Sequence, residues 1–284
     1  EAFKRYIYGH TTRGDYALPY TLKVLGDHGL TGVFFVEPLF STRFGSAPLK
    51  EIIGLLRESN QEIQLHLHPE WVDESIEPIL ENIDGKRQHL RYYSFAEQVK
   101  LVAAGKRLIE QAGGGTSFAF RAGSFGFNRE TLGALAVNNI PFDSSYNASI
   151  FGLDSGVAPG GVVVDTFECD GIYEYPMTVY SDGTGSLRHA QLTACSYREM
   201  EGLLWQALET GRRSFMILSH NFELLNMAMD RPDDVVVKRF RKLCSFLDRN
   251  RDSFCVRGFD GLTARSVPEQ PAPLKSPIWN TGAR

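Results

Sequence analysis

Cysteine is scarce. The 284-residue chain has four, Cys169, Cys195, Cys244 and Cys255, and no two form a C-x-x-C pair. That scatter argues against a zinc ribbon and against a disulfide framework, and it reads as free thiols in a reducing compartment, so the cytoplasm is the expected location. Long apolar runs are missing too. None approaches a membrane span, and the chain does not open with a signal-peptide pattern. No block of lysine and arginine stands out and the net charge is a modest −4, so neither nucleic acid nor an anionic membrane surface is the expected main partner. Finally, no glycine-rich phosphate loop follows any apolar run, which weakens a nucleotide-binding sheet. Gly113-Gly114-Gly115 precedes a strand and reads as a connector.

What is present is alternation. Residues 17–28, 48–58, 94–112, 129–138, 197–210 and 233–249 have helical periodicity. Short apolar runs follow them: Thr31–Val36, Glu62–His68, Ser117–Arg121, Ile140–Asp143, Ser214–Ser219 and Phe254–Val256. Strands apolar on both faces and separated by helices imply a parallel sheet covered by helices. At 284 residues and 43% hydrophobic, the chain can bury one barrel-sized core. An open doubly wound sheet and a closed (β/α) barrel both fit this alternation; the expected fold is the α/β barrel, over residues 1–266, with residues 150–195 as loops and short strands inserted in it. The proline-rich tail, 267–284, is expected to be irregular.

The most informative stretch is Gln64-Leu65-His66-Leu67-His68-Pro69-Glu70-Trp71. His66, His68 and Glu70 sit at every second position, so in an extended segment they project to one side and Leu65 and Leu67 to the other. Pro69 cannot donate to a sheet ladder and marks the strand's exit. One histidine alone would fit a hydrogen-bonded structural role. Two with a glutamate on one face, packed without a cation, would cost desolvation energy. The spacing therefore points to a divalent metal site, without naming the metal.

Further polar residues fall at the carboxyl ends of other expected strands, where parallel α/β barrels carry their chemistry: Arg121, Asp143 and His220. Strand alternation groups Arg121 with the small residues Ser117 and Ala119. Asp143, at a turn, also fits a simple loop cap.

In order along the chain, Gly29-Leu30-Thr31-Gly32-Val33-Phe34-Phe35-Val36, Leu65-His66-Leu67-His68-Pro69-Glu70-Trp71, Phe120-Arg121-Ala122-Gly123-Ser124-Phe125-Gly126, Phe142-Asp143-Ser144-Ser145 and Leu218-Ser219-His220-Asn221-Phe222-Glu223 resemble the motifs of polysaccharide deacetylases. The resemblance runs from about residue 15 to 258. It implies a distorted (β/α) barrel of about seven parallel strands and a metal-dependent hydrolase that removes N-acetyl groups from an amino sugar or polysaccharide. The implied metal is zinc first, with cobalt, nickel or manganese as alternatives.

Residue by residue, His66 matches the first metal-binding histidine. The second usually lies four residues on, where this chain has Glu70, so Glu70 or His68 would take that role. Arg121 matches the arginine that orients the catalytic aspartate, and His220 the general acid. Glu174, in Gly171-Ile172-Tyr173-Glu174-Tyr175-Pro176, resembles a segment of the substrate groove, where Asp143 and Trp71 are also expected. Trp71, Tyr146, Tyr173 and Tyr175 would stack on sugar rings or serve as ordinary packing. The family's opening strand ends in an acidic pair. Here Glu1 is expected as the acidic ligand, with the aspartate base upstream and the first strand missing, or else with Asp15 as substitute. A carbohydrate-binding barrel without catalysis is the alternative reading, and a hydrolase of another amide a third.

Overall fold

A computed structural model describes residues 1–81, 83 and 85–281. They divide into two compact units. The first comprises residues 1–32, 178–258 and 273–284, and the second 33–177 and 259–272.

The first unit opens with one π-helical turn, Lys4–Tyr8, and a hairpin of β1 (His10–Thr11) and β2 (Gly14–Asp15). Helix α1 follows at Leu18–Asp27. The second unit then contributes β3 (Val33–Val36), α2 (Ser41–Phe44), α3 (Ser46–Glu58), β4 (Glu62–Leu67), α4 (Phe95–Gln111), β5 (Ala119–Ala122), α5 (Arg129–Val137), β6 (Phe142–Asp143), β7 (Phe167–Cys169) and β8 (Ile172–Glu174). The chain returns to the first unit for β9 (Val179–Ser181), β10 (Leu187–His189), α6 (Tyr197–Glu209), α7 (Asp234–Arg249), β11 (Leu274–Lys275) and α8 (Ile278–Thr281). No helix of the described residues is long and apolar enough to cross a membrane.

The second unit is a sheet of order β3-β4-β5-β6-β8-β7. Its first five strands are parallel and β7 runs antiparallel to β8. The alternation of helix and apolar strand thus gives the mostly parallel sheet it implied. The expected seven parallel strands do not all form: among the described residues the pairings run linearly and the two end strands do not meet. Ser214–Ser219 forms one bridge, Leu218 to Gln191, and Phe254–Val256 forms no strand. Between residues 150 and 195 the inserted strands are two antiparallel pairs, β7 with β8 and β9 with β10. The segment after Val267 contains β11 and α8 within an otherwise irregular course.

The helices start where the sequence supplies caps. Ser94 and Glu97 form a capping box on α4, as do Ser196 and Glu199 on α6, and Asp233 Oδ1 accepts from the Val235 and Val236 amides on α7. On α4 the buried positions Gln98, Leu101, Val102, Gly105 and Ile109 keep the spacing of one helical face. Fully buried Gln64 fixes the neighbouring strand, its Oε1 accepting from the Phe118 amide (3.0 Å) and the Ala119 amide (2.9 Å). In the first unit α7 packs Val236, Val237, Phe240, Leu243 and Cys244 into a core shared with Leu203 and Leu204 of α6.

Helix α4 lies close on β4. A Cβ at Gly105 would stand 2.7 Å from Leu67 Cδ2 and 2.9 Å from Leu65 Cδ1. Gly105→Ala is therefore expected to destabilise the protein by about 1–3 kcal/mol through overpacking, read as a lower denaturant midpoint at unchanged m-value. An unchanged midpoint would show that the contact is loose.

Candidate functional site

Parallel pairing sets the carboxyl ends of β4, β5, β6 and β8 side by side. The register places His66 opposite Arg121, Phe120 opposite Asp143, and Asp143 opposite Glu174. His66 and Arg121 thus share one row across the sheet, and Asp143 and Glu174 share the row one residue before it, aligned with Phe120.

Asp143 and Glu174 are fully buried, as are Ser144 and Ser145. Asp143 Oδ1 accepts from Ser145 Oγ (2.6 Å), and Glu174 Oε1 from the Tyr146 amide (3.1 Å). Asp143 Oδ2 and Glu174 Oε2 have no other donor among the described residues, and the two carboxyls contact each other. A proton held between them supplies the missing donor. Burial raises both above the ordinary carboxylate range, Glu174 well above it, where the charge of Asp143 adds to the effect. Both residues, expected in the substrate groove, are at 0% exposure and support the strand ends from within.

Arg121 donates from Nε to the Ser144 carbonyl (3.1 Å) and from Nη2 to Ser144 Oγ (2.9 Å), and Ser144 Oγ donates to the Tyr175 carbonyl (2.8 Å). Its guanidinium carbon lies 4.4 Å from the centre of the Phe35 ring. Burial lowers the Arg121 pKa to about 10 against the opposing charges of Asp143 and Glu174, so it remains a cation at neutral pH.

The expected metal-binding residues lie at the exit of β4. His66 Nδ1 donates to the Arg121 carbonyl (2.5 Å), which puts the lone pair of the neutral ring on Nε2. The His66 and His68 rings meet edge to face at 4.8 Å. His68 Nδ1 pairs with Glu70 Oε1 at 3.1 Å, and Glu70 Oε2 has no hydrogen-bond partner among the described residues. Burial pulls the His68 pKa down, but Glu70 and the charge of Glu37 outweigh it and the net shift is up.

Glu37, one residue past β3, escaped the sequence reading. Its oxygens accept from the Leu39 amide (2.7 Å) and the Phe40 amide (3.0 Å), and burial pushes its pKa up to about 7. The signal was available: Val36-Glu37-Pro38 repeats the pattern of Leu67-His68-Pro69, a polar residue at a strand exit marked by proline.

After β5 the chain turns through Ser124 (φ +52°) and Phe125 (φ +58°), both left-handed. Glycine at 123 permits the passage, because a Cβ there would lie 2.6 Å from the Leu67 carbonyl oxygen and 2.9 Å from His68 Nδ1. Trp71 meets Phe44 edge to face at 5.6 Å. Tyr146 and Tyr175 are buried core residues, which removes them as sugar platforms, whereas Tyr173 is half-buried.

His220 and Glu1 belong to the first unit. The His220 segment is pinned by the Leu218 amide to the Ala190 carbonyl (2.8 Å) and the Leu192 amide to the Leu218 carbonyl (3.0 Å). His220 Nδ1 lies 2.6 Å from Glu223 Oε1, and the imidazole is half exposed while Glu223 is buried. Gln191 Nε2 also donates to Glu223 Oε1, and Glu223 Oε2 has no hydrogen-bond partner among the described residues. Glu223, quoted within a motif but given no role, is thus the carboxylate that orients His220. Glu1 is exposed, and Asp15, the substitute considered for the acid, accepts from His10 at 2.8 Å.

Metal binding requires several donors converging on one point. Among the described residues no group of three or more His, Cys, Asp or Glu side chains is arranged to hold a metal ion. The donors His66, His68 and Glu70 suit zinc in type, but their arrangement does not fit a complete ligand set.

No family model matches the sequence, and no curated protein matches it. Solved structures do. A Mycobacterium smegmatis protein described as a polysaccharide deacetylase is 17% identical over 95% of this chain and 85% of its own, with a TM-score of 0.50. A family 4 carbohydrate esterase from Streptomyces lividans, in complex with acetate, is 14% identical over 90% of each chain with a TM-score of 0.48. A family 4 pseudoenzyme from Bacillus anthracis is 13% identical over 83% of this chain and 57% of its own, with a TM-score of 0.42. The first likeness is one of fold: this chain shares its fold with a protein described as a polysaccharide deacetylase. The other two overlap too loosely to support an inference.

A raised carboxyl pKa is a stability statement with a definite sign. The contribution of Glu37 is full below the ordinary carboxylate range and is lost as pH rises through about 7. Unfolding free energy should therefore fall between about pH 5 and 8, and fall less steeply in Glu37→Gln. Equal slopes in urea titrations of the two proteins would rule the assignment out.

Proposed function

We propose that this protein hydrolyses N-acetyl groups on an amino sugar or polysaccharide. The observation that carries the reading is the His220–Glu223 pair, which occurs within the ordered motifs that resemble polysaccharide deacetylases. A neutral imidazole donating from Nδ1 to a buried carboxylate holds its other nitrogen, Nε2, as the site that takes up or delivers a proton. Hydrolysis of an amide needs such a group, because an amine leaves only when protonated. In this reading His220 protonates the departing nitrogen and Glu223 stabilises the imidazolium form.

Arg121 supplies a fixed positive charge at the strand ends, and the reading gives it the role of favouring the ionised form of a carboxylate base. A divalent metal, zinc first, belongs to the proposal as well. His66 with His68 or Glu70 would supply part of its ligand set. A cytoplasmic location and an acetylated glycan as partner complete the reading.

One observation favours the alternative, a glycan-binding protein without catalysis: the lack of a three-donor cluster among the described residues.

Acetate release from N-acetylated oligosaccharides decides between them. His220→Ala should lower the rate by about 10²–10⁴-fold. Glu223→Gln should lower it less, because the ring keeps a hydrogen-bond acceptor but loses the charged one. Acetate release by His220→Ala at the wild-type rate would falsify the assignment, and no release by the wild-type protein from any glycan would favour the binding reading. Elemental analysis of the purified wild type and His66→Ala tests the metal, with lower content expected in the variant.

A further inference from the structure

The first unit contains a groove of about 730 Å³ formed by Arg13 and Tyr16 on either side of β2, α1, the start of α6 and the outer face of α7. Its floor is α7. The inner face of that helix is the core row from Val236 to Phe246, and Lys238, Arg241, Lys242 and Arg249 are exposed on the other side. Helical spacing gathers these cations on one face, which is how a run interrupted by buried Phe240 becomes a basic surface.

The cations lack local counter-charges. The one acidic residue lining the groove is Asp234, and Arg13 Nη1 already binds it at 3.0 and 3.2 Å. Lys238 and Arg241 form no ion pair among the described residues. Such an excess is set against a chain of net charge −4. The groove also presents rings. Tyr16 and Tyr20 stack at 4.7 Å with 20° between their planes, both half-buried, and Tyr197 has Lys242 Nζ 5.3 Å from its centre.

Half-exposed tyrosine faces beside unpaired cations fit a ligand that combines flat apolar surfaces with negative charge. We propose that this groove binds an acidic glycan, a short run of sugar units carrying carboxylate or phosphate groups. The anion-binding part stands on the groove itself, and the sugar part rests on the proposed function. The volume is in the range of small-ligand sites, about 300–1,000 Å³. The four α7 cations span about 16 Å along the helix, from the rise per residue, a length suited to a few sugar units. A nucleic acid shares the charge and the stacking, but the overall negative charge of the chain works against a long polyanion.

Binding of four tetramers to the full chain at low salt tests this by calorimetry: tetragalacturonate, a phosphorylated maltotetraose, neutral maltotetraose and a thymidine tetranucleotide. One or both acidic sugars should bind, weakening with added salt, and the neutral sugar at least about tenfold more weakly. Whichever acidic sugar binds more tightly identifies the anion as carboxylate or phosphate. The variant Lys238→Gln/Arg241→Gln changes exposed side chains and should weaken acidic-sugar binding by about tenfold or more with its circular dichroism unchanged, and Tyr20→Ala should weaken it too. Equal binding of the neutral sugar, tighter binding of the tetranucleotide, or no effect of the double variant would overturn the proposal. Acidic-sugar binding without acetate release from any glycan would leave the groove standing and remove the deacetylase reading. Acetate release without acidic-sugar binding would do the reverse.

Discussion

Two buried carboxyl groups and a half-buried guanidinium at the ends of parallel strands constrain everything around them. Taken from water singly, each charge would cost several kcal/mol. Two ionised carboxylates against Arg121 would leave a surplus negative charge in the interior, and one proton shared by Asp143 and Glu174 removes it. The remaining charges then balance. Polar groups nearby are committed to the same end: Ser145 and the Tyr146 amide to the carboxyls, Ser144 to the guanidinium. The strand register carries this network, because a shift of one residue would turn Asp143 or Glu174 to the other face of the sheet.

The strand ends tie this network to the exposed chemistry. The Arg121 side chain belongs to the trio, while its carbonyl accepts from His66 Nδ1. Backbone and side chain of one residue therefore connect the orientation of the His66 ring to the charge balance beneath it. At the next strand end His68 stands between Glu70 and the charge of Glu37, which favours its protonated form. A protonated imidazole has no lone pair to give a cation. His66, with its donor nitrogen already directed at a carbonyl, is the better presented of the two rings.

Much of this was legible in the residues and some was not, for physical reasons. Helices announced themselves through period, as residues 94–112 show. Parallel strands such as Glu62–Leu67 were legible because both faces are buried. Ser214–Ser219 has the same apolar composition, but its contacts are one bridge and the donation from the Met216 amide to Thr178 Oγ1, and composition does not reveal the lack of a neighbouring strand. The positions of Arg121, Asp143 and Glu174 at strand ends were readable. Their burial was not, since alternation assigns a side chain to a face without saying whether that face is closed. Glu37 and Glu223 were missed differently. Glu37 lies one residue beyond a quoted motif and Glu223 ends one, and each acts through what it holds.

Glu223 shows how such a supporting residue earns its place. A carboxylate with one oxygen on His220 and the Gln191 amide and the other without a hydrogen-bond partner is costly to bury unless it faces positive charge. The Nδ1–H of His220 and the Gln191 amide bring partial positive charge to one of its oxygens, and the half-exposed ring leaves Nε2 open to what approaches from solvent. A purely structural histidine would gain more from complete burial and a neutral acceptor. Burying the carboxylate while exposing the imidazole fixes the ring and keeps its free nitrogen accessible.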